Sequence, residues 1–216
     1  MNIALVDYGA GNIHSAAKAL RIAGERRGIA VIVEATRDPE KIRAADRVVL
    51  PGDGAFAHCM AELKGAPGVM AALEHTVRRE KKPFLGICVG MQMLASSSEE
   101  HGEHQGLGWL PGKIRRLSPA DAKLKIPHMG WNELYPKRAH PALAGLQLGP
   151  EGQTAYFLHS YHFEAENPAD IIAVADYCGA VTAVVARENI LGCQFHPEKS
   201  QALGLSLIGN FLAWRP

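Results

Sequence analysis

No apolar run in this sequence approaches the roughly 20 residues that a membrane-spanning helix needs. Charge of one sign is equally scarce. Lys and Arg number 23 against 22 Asp and Glu, a formal net charge of +1, which leaves no electrostatic footprint for nucleic acid or an anionic membrane surface. Cysteine is sparse: Cys59, Cys88, Cys178 and Cys193 form no C-x-x-C pair, so neither a disulfide framework nor a cysteine zinc site is expected. The ten histidines include no H-E-x-x-H, and His101 and His104 lie in a Glu- and Gly-rich loop that reads as solvated. No metal and no cofactor are expected. The opening MNIALVDYGAGN lacks a basic start followed by a long apolar region, so it reads as a first buried strand rather than a signal peptide, and a cytoplasmic location is expected. No repeat, linker or low-complexity segment interrupts the chain.

What is there is an ordinary globular chain of 216 residues, 47% hydrophobic, enough for one well-filled core and one domain over residues 1–216. The first half alternates apolar runs with helical patterns. Strands are expected at 3–6, 30–33, 47–50 and 84–87, with helices at 12–23 and 69–80. Near-continuous apolar strands separated by helices suggest a parallel sheet covered on both faces. The second half offers closely spaced strand candidates at 113–117, 133–135, 155–158, 161–165, 172–175, 181–185 and 190–194, which imply an antiparallel or mixed extension of the sheet. A last helix over 201–214 places Leu203, Leu207, Phe211 and Trp214 on one face. The fold class expected is α/β, a mixed, mostly parallel sheet flanked by helices.

The stretch PFLGICVGMQM sets Cys88 between Gly86 and Gly90, directly after a strand. That is the form of a nucleophile elbow with Cys in place of Ser, which lifts the side chain to the carboxyl end of the sheet where open α/β sheets bind ligands. A helix starting near Gly90 would aim its positive end at the sulfur and favour thiolate. Buried filler fits this segment equally well, since free cysteine is among the most buried residue types. A second segment, GCQFHPEK, places His196 and Glu198 two apart, on one face of an extended chain, with Pro197 biasing His196 toward that geometry. A carboxylate beside a histidine orients the ring and stabilises its charged form. By itself the pair also fits an exposed, solvated turn; together with the elbow it is far more specific.

Elbow and HPE together resemble the class I, triad-type glutamine amidotransferases over essentially the whole chain. The resemblance implies a flavodoxin-like fold and a triad of Cys88, His196 and Glu198 that hydrolyses glutamine to glutamate and ammonia through a γ-glutamyl thioester. It implies an oxyanion hole from the backbone N–H groups of Val89 and of Asp53 in the Pro51-Gly52-Asp53-Gly54 turn. Asp53 is a departure, because that position is usually apolar in close relatives; its side chain is expected to point away from the oxyanion. Gly54, Gln92, Glu100, Ser160 and Tyr161 match positions that hold the glutamine head group, with Glu99 as an alternative to Glu100.

The stretches DYGAGN and PHMGWN are similar to the glutaminase subunits of imidazole glycerol phosphate synthases, from histidine biosynthesis, and YFLHSYHF and HPEKS agree. This implies a heterodimer with a cyclase subunit, a (β/α)8 barrel that receives the ammonia and makes imidazole glycerol phosphate and AICAR from PRFAR. Asn12, Met129, Trp131, Asn132 and Lys199 match interface positions, although Asn12 also fits a helix N-cap and Trp131 ordinary core. Rival readings are a glutaminase serving a pyridoxal phosphate or anthranilate synthase, a γ-glutamyl peptidase, and a non-catalytic regulatory subunit.

Overall fold

The alternation in the first half becomes a layered α/β fold in the computed structural model, which describes residues 1–121 and 123–216. Strands β1 (Asn2–Val6), β2 (Ile32–Thr36), β3 (Arg47–Gly52) and β4 (Phe84–Cys88) run parallel, separated by helices α1 (Ile13–Arg27), α2 (Pro39–Ala44), α3 (Phe56–Gly65) and α4 (Val69–Leu73). Strands β3 and β4 are buried at every residue, as strands covered on both faces must be. Helix α1 is held at its start by the Asn12 side chain, which accepts a hydrogen bond from the Ser15 N–H at 3.2 Å, and stops at Gly28 in the left-handed region. A single helical turn, α5 (Val89–Gln92), follows β4.

The second half supplies β5 (Ser97–Ser98), β6 (His104–Gln105), β7 (Gly112–Arg116), β8 (His128–Glu133), β9 (Tyr135–Pro136), β10 (Thr154–His159), β11 (Tyr161–Ala165), β12 (Ile171–Asp176), β13 (Ala180–Arg187) and β14 (Ile190–Cys193), before the last helix, α6 (Gln201–Ala213). Strand β14 returns to pair parallel with β4, and β13, β12 and β9 continue the sheet antiparallel, in the order β2-β1-β3-β4-β14-β13-β12-β9. Outside it lie a ribbon of β10 and β8 and a small sheet, β11-β7-β5-β6. Leu203, Leu207, Phe211 and Trp214 of the last helix segment are all buried, and α6 packs on α1. Among the described residues, no helix is long and apolar enough to cross a membrane.

The differences from the sequence reading have physical causes. Strand β2 begins at Ile32 rather than Ala30, because pairing of Asn2 with Ile32 fixes its register; this edge strand leaves Ile32 67% exposed, so apolar composition misplaces it. The helix expected over 69–80 is α-helical only to Leu73 and then widens into a π-helical segment over Glu74–Arg79, closed by a bond from the Glu80 N–H to the His75 carbonyl. The strand expected at 133–135 is two strands broken at Leu134, and β8 begins five residues earlier, at His128.

Glycines set the closest contacts. A Cβ on Gly90 would lie 1.9 Å from the Leu50 carbonyl oxygen, and one on Gly86 would lie 2.6 Å from the Gly90 oxygen. Backbone therefore packs on backbone where β3 meets the turn after β4, with no flexible side chain to yield. Gly90→Ala is expected to cost at least about 1–3 kcal/mol, read as a lowered Tm or loss of soluble protein. Gly65→Ala, at a helical position with nothing within 4 Å of the added carbon, should be neutral or gain up to about 1 kcal/mol in the same melts.

Candidate active site

Cys88 ends β4 with φ 53° and ψ −112°, a conformation that costs energy for any residue with a side chain. The strain is held by the glycine contacts on either side. It places the sulfur at the carboxyl end of the sheet, beside Gly52 of β3, which pairs with Cys88. The helix expected near Gly90 does follow the cysteine, but α5 has only four residues. So short a helix has little macrodipole, and its electrostatic contribution reduces to the free N–H groups of one turn.

His196 and Glu198 follow β14, the other neighbour of β4, so three adjacent strand ends bring together residues more than a hundred positions apart. The His196 Nδ1 lies 2.9 Å from Glu198 Oε1, with both side chains buried. The backbone there is fixed too: the His196 N–H donates to the Tyr156 carbonyl at 2.9 Å, and the Ser200 hydroxyl donates to the His196 carbonyl at 2.7 Å. Glu198 Oε2 is buried without a hydrogen-bond partner. Burial pushes the His196 ring down, but hydrogen bonding and charge interaction with Cys88 and Glu198 outweigh it and raise its pKa to about 10.

A crevice of about 230 Å³ opens on the sulfur. Its walls include Asp53, Gly54, Val89, Gln92, Glu100, Ser160 and Tyr161, and also Pro127, Leu158 and His159. A larger cavity, about 790 Å³, lies between Pro136 and Leu148, but it contains no nucleophile or perturbed carboxylate pair, so the smaller crevice is the chemical site. Of the two acidic neighbours, Glu100 lines the crevice and its Oε2 accepts a 2.7 Å bond from the first N–H of α3, at Phe56. Glu99 turns away to Arg115. The Asp53 residue is exposed, and the carbonyls on either side of the Gly52–Asp53 peptide are held, Pro51 by the Tyr8 hydroxyl at 2.8 Å and Asp53 by the Cys59 thiol at 3.3 Å.

The family model for glutamine amidotransferase class-I matches residues 4–213 of this sequence. The chain belongs to that family. The amidotransferase is 51% identical over 216 residues to the imidazole glycerol phosphate synthase subunit HisH of Mesorhizobium japonicum and 52% identical to that of Rhodopseudomonas palustris, each match covering 100% of both chains. Among solved structures, the glutaminase domain of Trypanosoma brucei CTPS with bound acivicin superposes with a TM-score of 0.68 at 15% identity, covering 100% of this chain and 95% of that one, which shows the shared fold. The mixed sheet with its antiparallel extension is thus the class I amidotransferase architecture.

Beside the amidotransferase crevice lies an exposed face that the sequence shows only in part. Met129 and Trp131 of β8 are 67% and 48% exposed, and their cross-strand partners on β10 are Leu158 and Tyr156. Trp131 meets Tyr156 edge-on at 5.7 Å, the exposed Lys199 reaches over the same ring, and that ring tilts toward His196 at 6.5 Å. Asn12 is exposed at the start of α1. Asn132, expected on this face, instead turns to the other side of the ribbon and bonds the Asp176 carbonyl at 2.8 Å. Leu158 and Tyr156 were missed, although they alternate along one strand with Ser160 beyond it. Gln194 was also missed. It is fully buried, lies 3.0 Å from the Gln92 amide and 3.8 Å from the Cys88 sulfur, and stands in the bend just after β14, two residues before His196.

The raised pKa of His196 depends on the sulfur. In a proton-resolved NMR titration the ring should give up its proton near pH 10 in the native protein, and carbamidomethylation of Cys88 should lower that midpoint. An unchanged midpoint would leave Glu198 as the sole cause.

Proposed function

We propose that this chain, acting as one domain over residues 1–216, is the glutaminase subunit of an imidazole glycerol phosphate synthase, with Cys88 as nucleophile, His196 as proton carrier and Glu198 as its orienting carboxylate. The observation that carries the reading is the buried 2.9 Å Glu198–His196 pair beside a cysteine on a strained elbow. The names of the full-length relatives supply the acceptor.

The Cys88 thiolate attacks the side-chain amide carbon of glutamine, and the carbonyl oxygen takes the negative charge. The N–H groups of Val89 and Asp53 donate hydrogen bonds to that oxyanion; losing one such donor typically costs on the order of 10²–10³ in rate. His196 gives its proton to the departing nitrogen, which leaves as ammonia, and a γ-glutamyl thioester remains. The sulfur is then uncharged, so its share of what raised the His196 pKa is gone; Glu198 remains, and burial now weighs more heavily and lowers the pKa. The neutral ring takes a proton from water, whose oxygen attacks the thioester, and collapse expels the Cys88 thiolate and glutamate. The Glu198 carboxylate, 2.9 Å from Nδ1, holds the ring in place through both steps. Gln92, Glu100, Ser160, Tyr161 and Gly54 hold the head group of glutamine.

Ammonia released into water would be protonated and lost, so the exit must be covered. The apolar face of Met129, Trp131 and Leu158, beside Tyr156 and Lys199, is where a cyclase subunit of (β/α)8 form would dock. Asn12, exposed at the start of α1, is a further contact proposed for that partner. No cofactor enters this chemistry, and none of the steps needs a metal.

Glutamate release should be low for the chain alone and should rise when a cyclase subunit and its phosphorylated ribonucleotide substrate are added. Cys88→Ala should lower glutamine-dependent synthesis by on the order of 10⁴-fold or more while ammonia-dependent synthesis persists. Equal release in every mixture would argue for an unpartnered γ-glutamyl hydrolase instead.

A further inference from the structure

The two faces of the β8–β10 ribbon have different chemistry. Side chains alternate along a strand, so Met129 and Trp131 stand on the exposed side while His128 and Asn132 stand on the other. On that inner side His128 pairs across the ribbon with His159, and a continuous set of hydrogen bonds runs toward the crevice. Its direction is fixed by chemistry.

The Asn132 side-chain oxygen accepts the Glu133 N–H at 2.8 Å, so the amide nitrogen is the end that faces Asp176 and His128. That nitrogen only donates, which makes His128 Nε2, 3.3 Å away, an acceptor. His128 Nδ1 therefore carries the hydrogen and donates to His159 Nε2 at 3.1 Å. His159 Nδ1 in turn carries its hydrogen and donates to the Tyr161 carbonyl at 2.9 Å. The same carbonyl accepts from the Gln92 amide at 2.9 Å, the second Gln92 hydrogen goes to Gln194, and the Gln194 amide approaches the Cys88 sulfur at 3.8 Å. No atom in this chain has a choice of role.

We infer that His128 and His159 are positioning residues, forming a tautomer-locked relay that carries the position of the partner-facing ribbon to Gln92, Gln194 and the Cys88 sulfur. The inference rests on the amidotransferase reading above and adds a regulatory connection to it. The relay works only with neutral rings, and burial supplies that condition, lowering His128 to about 4 and His159 to about 3. His128 is held rigid by stacking against Phe157 at 4.6 Å and Tyr177 at 4.1 Å between ring centres. A partner seated on Met129, Trp131 and Leu158 presses on the strands that carry both histidines. A displacement there changes the height of the Tyr161 carbonyl, and with it the amide of Gln92 at the substrate end.

The test uses the chain in complex with a cyclase subunit saturated with its ribonucleotide substrate. His159→Phe keeps a flat ring but removes both nitrogens, and Asn132→Ala removes the first donor. Each should lower partner-stimulated glutamate release about 2- to 30-fold, with partner affinity and ammonia-dependent synthesis retained as evidence of an intact complex. The double variant should be no slower than the slower single one. Full stimulated turnover in His159→Phe, or losses that multiply in the double variant, would overturn the relay. A second measurement needs no variant: nitrogen-resolved NMR of the native complex at neutral pH should show both imidazoles as the Nδ1–H tautomer, and an Nε2–H tautomer at either ring overturns the direction of the relay. A native chain that is not stimulated by the partner at all would overturn the reading of this chain as the synthase's partnered glutaminase subunit, before any variant is compared.

Discussion

Strand β3 and the turn after β4 approach so closely that a single methyl group at Gly90 would meet the Leu50 carbonyl oxygen at 1.9 Å. That contact fixes the height of the turn, and the turn holds Cys88 at a positive φ that an unsupported chain would relax. It also sets Gly52 directly beside Cys88, so the turn at residues 51–54 and the sulfur share one crevice. With β14 on the other side of β4, His196 and Glu198 arrive at the same level. The site is thus a consequence of the packing of three adjacent strand ends, and its chemistry depends on backbone contacts that tolerate no side chain.

Charge in the site is decided by neighbours, since every group concerned is buried. Three histidines show the contrast. Neither His128 nor His159 has an acidic partner: burial alone lowers His128 to about 4, and at His159 burial, with smaller contributions from neighbouring histidines, outweighs the hydrogen bond to the Tyr161 carbonyl and lowers it to about 3. His196 is buried as well, yet Cys88 and Glu198 beside it reverse the outcome and raise it to about 10. One residue type therefore serves as a fixed hydrogen-bonding strut in one place and as a proton carrier in another.

The ribbon of β8 and β10 joins this site to the surface. Its period of two residues separates an apolar outer face from a polar inner one without any change in backbone. Tyr156 stands on the outer side near His196, and His159 on the inner side near Gln92. A partner on this ribbon would reach the triad and the substrate crevice through different side chains of the same two strands.

Much of this was legible in the residues. Apolar runs fixed the parallel strands, the glycines around Cys88 signalled a tight turn, and His196 and Glu198 stood out as a pair, although a 3-10 turn over Pro197–Lys199 rather than the extended chain expected brings their side chains together. Other features had weak local signals: β2 is an exposed edge whose bounds follow its partner, and the helix after Cys88 makes only one turn, a length the sequence leaves open. Gln194, Tyr156 and Leu158 lie within the motif stretches but have no local feature that marks them as site residues, and the inward turn of Asn132 depends on a carbonyl 44 residues away. By itself the sequence determined the strand and helix types, the elbow and the candidate triad, because these rest on local sterics and periodicity. Only the tertiary structure decided which strand ends meet, which way each histidine hydrogen points and which carboxylate faces the crevice, because those follow from long-range register and from burial, which no local pattern contains.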